Sequence, residues 1–230
     1  GLSSKDTTPG QILAVYENLK RAEPKGNFTI GIVDDVTHTS LPVTEIETSP
    51  AGQTSAEFWG MGSDGTVGAN KNSIKIIGHA TDLYCQAYFV YDSKKSGGLT
   101  QSHLRFGKTP IRSPYLITKA DFAACHNPSY VHKYDMVRNL KEGGTFLLNC
   151  PWDEAGLEQN LPASMKRALA EKHARFYTID AIGIARKLGL GSRTNTVLQA
   201  AFFALTGVIP IDQAVAEMKD AIYKTYYKKK

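Results

Sequence analysis

The sequence predicts a three-layer α/β/α domain with a mostly parallel or mixed sheet, preceded by a short α/β segment. Three observations lead there. Short runs rich in β-branched and aromatic residues alternate along the chain with longer runs whose apolar residues recur at helical spacing. A glycine-rich stretch at residues 60–68 joins one strand-like run to one helix-like run. The composition, 230 residues with 42% hydrophobic and 10% aromatic content, is that of a folded chain able to bury a core.

In chain order, Asp6, Thr7 and Thr8 are candidate caps for a first helix, with Pro9 in its first turn and Ile12, Val15, Tyr16 and Leu19 along one face. Residues 28–33 have the β-branched content of a buried strand and run into a polar loop from Asp34 to Ser40. The proline- and threonine-rich stretch from Leu41 to Gly52 reads as a linker, so residues 1–55 are expected to form one region and residues 56–230 a second. That second region opens with a strand at 56–59, the glycine loop, a helix from Ala69 to about His79 and a strand at 84–91. Strand-helix-strand order makes a right-handed parallel pairing the default. Further strands are expected at 104–106, 115–117, 122–125, 145–149 and 176–179. Helices are expected at 130–140, 163–173, 181–188, 196–205 and 211–227.

Gly60-Met61-Gly62-Ser63-Asp64-Gly65-Thr66-Val67-Gly68 contains a Gly-x-Gly-x-x-Gly pattern after a strand and before a helix. Glycines there admit a pyrophosphate close to the backbone, and free N–H groups at the helix start favour phosphate oxygens. The same pattern also serves as a ligand-free tight turn. Asp64 would repel phosphate unless it caps the loop's own amides. The second feature, Tyr91-Asp92-Ser93-Lys94-Lys95-Ser96-Gly97-Gly98, follows the next strand, so both loops are expected to face one crevice. Its lysines and serines suit a phosphate monoester, as in NADP or coenzyme A; solvated surface lysines are the alternative. A third loop, Gly189 to Thr196, offers Arg193 and Asn195 as candidate contacts, with helix capping by Thr194 or Asn195 the simpler reading.

His103, Arg105 and Arg112 show no spacing that defines an acid-base pair. Cys125-His126-Asn127-Pro128 cannot form a thiol-protease triad from adjacent residues, and it reads as a strand end followed by a turn. Cys85, Cys125 and Cys150 are too few for an iron-sulfur cluster or a structural zinc, and their spacing is not that of a disulfide framework. The formal charge of +5 is drawn partly from Lys94-Lys95 and Lys228-Lys229-Lys230, so no broad basic face for nucleic acid is expected. No apolar run approaches the ~20 residues of a membrane span. The N-terminal residues lack the apolar stretch of a secretory signal, and the protein is read as cytoplasmic with no membrane partner.

The runs Gly1 to Asp6, Gly31 to Thr37, Phe58 to Lys71 and Tyr91 to Gly98, together with Ser102 to Gly107 and Cys125 to Pro128, resemble pyruvate:ferredoxin (flavodoxin) oxidoreductases over essentially the whole chain. Residues 1–55 resemble the end of the transketolase-C-like region of that family, and residues 56–230 resemble its gamma region. The resemblance implies oxidative decarboxylation of pyruvate with thiamine diphosphate, electron transfer through iron-sulfur clusters to ferredoxin or flavodoxin, and release of acetyl-CoA. It implies that this chain is a fragment whose partners are the other domains or subunits of the same enzyme, itself a homodimer. It also implies a site for coenzyme A phosphates at Gly62, Ser63, Asp64, Gly65, Thr66 and Val67, with Lys95 and Asn195 as further contacts. No thiamine-binding Gly-Asp-Gly motif with a downstream Asn is present, so that cofactor and the clusters are expected in the remainder of the enzyme. Two rival readings are an NADP-binding reductase domain and an assembly module without a ligand of its own.

Overall fold

The structure, a computed structural model, describes residues 6–32, 36–94 and 97–226, with backbone alone for residues 225 and 226. It divides into two compact units. The first comprises residues 1–51 with 112–116; the second comprises 52–111 and 117–230.

In the first unit, helix α1 (Pro9–Leu19) begins at Thr8, which forms a capping box. The Gln11 amide donates to Thr8 Oγ1 at 3.3 Å, and the Thr8 amide donates to Gln11 Oε1 at 3.4 Å. The strand expected at 28–33 is reduced to an isolated bridge between Thr29 and Ser40, and Val33 to Asp35 lie outside the described residues. Gly31, at φ 76°, turns the chain out of the extended region, so β-branched content alone does not make a strand here.

The second unit is built on a six-stranded mixed sheet of β1 (Thr54–Met61), β2 (Tyr84–Tyr91), β3 (Leu99–Gly107), β4 (Ala120–Cys125), β5 (Leu140–Asn149) and β6 (Arg175–Ile179). The strand order is β2-β3-β1-β4-β5-β6. From β1 through β6 the neighbours are parallel, whereas β3 is antiparallel to both β1 and β2. The helices are α2 (Thr66–Ala80), α3 (Glu154–Asn160), α4 (Ala163–Glu171), α5 (Ala181–Lys187), α6 (Asn195–Thr206) and α7 (Ile211–Tyr226).

The period-two alternation of the central strands sorts their side chains into two apolar layers. Ala56, Phe58, Phe122, Ala124 and Leu147 pack with Ile76 and Ile77 of α2, Leu198, Phe202 and Phe203 of α6, and Ala214 and Met218 of α7. Trp59, Ala123, Cys125, Phe146 and Leu148 pack on the opposite face with Tyr130, Val131, Leu161, Met165 and Leu169. This is the expected three-layer α/β/α arrangement with a mixed sheet.

Four expectations are corrected. First, β1 and β2 point the same way but are not neighbours, because the hairpin after β2 returns β3 between them. Second, residues 130–140 do not form a helix. A 3₁₀ turn at Pro128–His132 and the turns after it bury Tyr130, Val131, Met136 and Val137 before β5 begins at the buried Leu140. Third, residues 115–117 are not a strand, and Pro110 and Pro114 remove two donors from that stretch. Fourth, α3 was not anticipated; Asp153 caps it by accepting the Gly156 amide at 2.8 Å.

Candidate functional site

Parallel strands deliver their carboxyl ends to one edge of the sheet, and the loops there are chemically the richest of the unit. The chain crosses from β1 into α2 through Gly62 to Gly65. Ser63 and Gly65 both take positive φ, 78° and 88°. Gly65 adopts that conformation readily, and Ser63 does so at a steric cost. Asp64 holds the turn together: its Oδ2 accepts the Met61 amide at 2.8 Å and its Oδ1 accepts the Thr66 amide at 2.7 Å. The carboxylate therefore caps the loop's own donors. At the helix start, the first intrahelical bond runs from the Ala69 amide to the Gly65 carbonyl, so the Val67 and Gly68 amides precede the regular ladder.

The hairpin loop between β2 and β3 meets this turn directly. The Gly62 amide donates to the Gly98 carbonyl at 2.7 Å, and the Gly97 amide donates to the Gly62 carbonyl at 3.3 Å. Asp92 stabilises its own loop by accepting from the Ser93 hydroxyl at 3.3 Å and the Lys94 amide at 3.4 Å. Between the two loops lies a cleft of about 450 Å³. Gly62, Ser63, Asp64, Gly65 and Val67 line one side, and Tyr91, Asp92, Lys94 and Thr100 line the other. The two loops thus share a crevice, although the hairpin and not a neighbouring parallel strand brings them together.

Of the residues the sequence singled out, Thr66 is not a cleft-lining residue. It is 1% exposed, and its hydroxyl lies 2.7 Å from Nδ1 of the buried His126. Asn195 begins α6 and packs against Gly65, where a Cβ would come within 3.1 Å of its side-chain amide; it does not line the cleft either. Lys95 lies outside the described residues. Sequence reasoning missed Thr100 as a lining residue, because only the register that pairs it with both Gly60 and Tyr91 brings it to the cleft. It also treated His126 as part of a structural turn without a link to the glycine loop.

Away from the cleft, Glu57 and His103 face each other across β1 and β3, with Glu57 Oε1 3.5 Å from His103 Nδ1. Burial raises Glu57 to about 7, against the opposing effects of the Asn139 hydrogen bond and the Arg105 charge. Burial lowers His103 to about 4, and Arg105 adds to that. The approach is therefore not an ion pair at neutral pH: His103 is uncharged, and its Nδ1 accepts the Ile117 amide at 3.3 Å. Cys125 is likewise pushed up, to about 12, by burial, so it is an inert thiol and not a nucleophile.

Glycine loop, polar hairpin and carboxyl-edge cleft together define an α/β domain of the kind that presents its loops at a crevice beside the strand ends. The chain belongs to the pyruvate ferredoxin/flavodoxin oxidoreductase family, whose model matches residues 55–230. It is 58% identical over its full length to a pyruvate:ferredoxin oxidoreductase of Moorella thermoacetica, of which it spans 20%. A pyruvate oxidoreductase subunit of Thermotoga maritima shares the fold at 18% identity and TM-score 0.60, covering 76% of this chain and 86% of that one. So does a 2-oxoglutarate:ferredoxin oxidoreductase of Magnetococcus marinus, solved with 2-oxoglutarate, coenzyme A and succinyl-CoA bound. That match has 16% identity and TM-score 0.57, over 79% of this chain and 28% of that one. The chain thus spans about a fifth of the length of curated relatives such as the Moorella protein, and its fold is shared with subunits and regions of 2-oxoacid oxidoreductases.

Proposed function

We propose that this chain is the coenzyme A-handling part of a pyruvate:ferredoxin or flavodoxin oxidoreductase, acting when assembled with the rest of that enzyme. The observation that carries this reading is the cleft between the glycine loop and the β2–β3 hairpin, with the early amides of α2 beside it and Lys94 opposite. Such a cleft suits a ligand with an apolar body and phosphate ends. Ser63, Gly65 and Val67 would contact the pyrophosphate, and Lys94 with Lys95 would meet the ribose phosphate. Asp64 takes no part in proton transfer in this reading, since both of its oxygens are engaged by amides. Thiamine diphosphate and the iron-sulfur clusters would be held by the remainder of the enzyme, where the two-carbon unit forms before the thiol of coenzyme A accepts it. Electrons would leave to ferredoxin or flavodoxin.

A separate observation supports a packing role alongside ligand handling. A groove of about 540 Å³ runs between α6 and α7 and is lined almost wholly by apolar side chains, among them Leu188, Val197, Ile211, Val215 and Ile222. Since four fifths of the related polypeptides lie outside this chain, the occupant we propose is another region of the same enzyme.

Calorimetric titration with coenzyme A, dephospho-coenzyme A and NADPH tests the ligand reading. The expected result is coenzyme A binding that weakens about tenfold without the 3′-phosphate, as loss of charge-assisted contacts implies. Preference for NADPH would overturn it in favour of a reductase domain. No binding to any of the three would leave the packing role alone for the isolated chain.

A further inference from the structure

We propose that His126 is the positioning residue of the glycine loop. Its imidazole Nδ1 fixes the Thr66 hydroxyl and thereby holds the first turn of α2 in the shape that opens the Val67 and Gly68 amides toward the cleft. The inference rests on the coenzyme A reading for its functional meaning, but its structural content stands separately.

Thr66 is the junction of the loop. Its amide is taken by Asp64 at 2.7 Å, and its side chain turns away from the cleft, filling the space a Cβ on Gly60 would need. A Cβ there would lie 2.5 Å from Thr66 Oγ1, so the glycine of β1 and the threonine of α2 form one fitted contact. Among the described residues the side-chain partner of the hydroxyl is His126 Nδ1 at 2.7 Å, and the pair is buried.

His126 in turn is held on three sides. Its amide donates to the Trp59 carbonyl of β1 at 2.9 Å, and its carbonyl accepts from Asn149 Nδ2 of β5 at 2.9 Å. Asn149 Oδ1 accepts the first amide of α5, from Ala181, at 3.1 Å. The ring also stands edge-on to Phe58, with centroids 6.1 Å apart. The imidazole is therefore mounted on the carboxyl end of the parallel sheet, and Thr66 ties that end to a loop that Asp64, the hairpin and Asn195 hold from other sides. Burial lowers His126 to about 4, with Asp64 opposing, so the ring is neutral at pH 7 and one proton lies between Nδ1 and the hydroxyl. Neither Thr66 nor His126 lines the cleft, so both act through the loop and not on a ligand.

The test compares His126→Asn, His126→Gln and Thr66→Val by amide hydrogen exchange over residues 60–70 and by coenzyme A titration. Asparagine places a polar atom near the position of Nδ1, whereas glutamine places one near that of Nε2. The expected result is loop exchange about tenfold faster in His126→Gln and Thr66→Val, the effect of losing one buried hydrogen bond, with His126→Asn within about twofold of the parent. Coenzyme A affinity should follow the same ranking. Equal exchange in His126→Asn and His126→Gln would overturn the inference, as would a Thr66→Val loop as protected as the parent. If the parent binds no coenzyme A, the functional reading fails while exchange still decides the role of His126. If the His126 variants do not fold, Thr66→Val, which keeps the side-chain volume, decides alone.

Discussion

Gly60 leaves the space that Thr66 occupies, and that makes the position intolerant of a side chain. Gly60→Ala should cost about 1–3 kcal/mol, read as a lower denaturation midpoint, because a buried threonine and the loop behind it would have to move. Ser63 tests the opposite case. It holds φ 78° without being glycine and is exposed, so Ser63→Gly should raise stability by about 1 kcal/mol in the same measurement. Glu57 gives a pH signature. Its folded value, raised from 4.5 to about 7, means that its contribution is fully present below pH 4.5 and is lost as pH rises through 7. At ~1.4 kcal/mol per pH unit the loss is on the order of 3 kcal/mol. Unfolding followed from pH 5 to pH 9 should show a decline in the parent that flattens in Glu57→Gln. His103 works in the other direction. Its depressed value stabilises above pH 6.5, and that contribution is lost as pH falls through about 4.

At the scale of elements, the β2–β3 hairpin borders the cleft and the α6–α7 pair borders the apolar groove. The hairpin puts an antiparallel strand beside β1 and so brings Lys94 and Thr100 to the glycine loop. Strand existence at 84–91 was legible from composition, but the hairpin was not. Tyr91 to Gly98 reads equally well as the loop after a parallel strand, and only pairing distinguishes the two. The α6–α7 groove leaves Leu188 at 66% and Ile211 at 46% exposure, so these side chains contribute little to the fold of this unit. Leu188→Glu should change stability by less than ~0.5 kcal/mol while reducing binding of an apolar fluorescent dye. A large destabilisation would mean that Leu188 belongs to the core.

Across the whole molecule, both apolar clusters draw their residues from positions beyond 52, and all six strands lie there too. A chain of residues 52–230 should therefore fold with a cooperative thermal transition. Loss of that transition would show that the first unit is needed for the second to form. Periodicity and composition determined the layer architecture, the order of most elements and the glycine loop, because burial on a strand or a helix imposes a spacing that survives in the chain. Resemblance supplied the family. Only the tertiary structure decided that β3 inserts between β1 and β2, that Thr66 turns inward to His126, and that residues 130–140 bury an apolar face without a helix. Those outcomes depend on which distant segments become neighbours, and local spacing encodes which side of an element is apolar but not what it will meet.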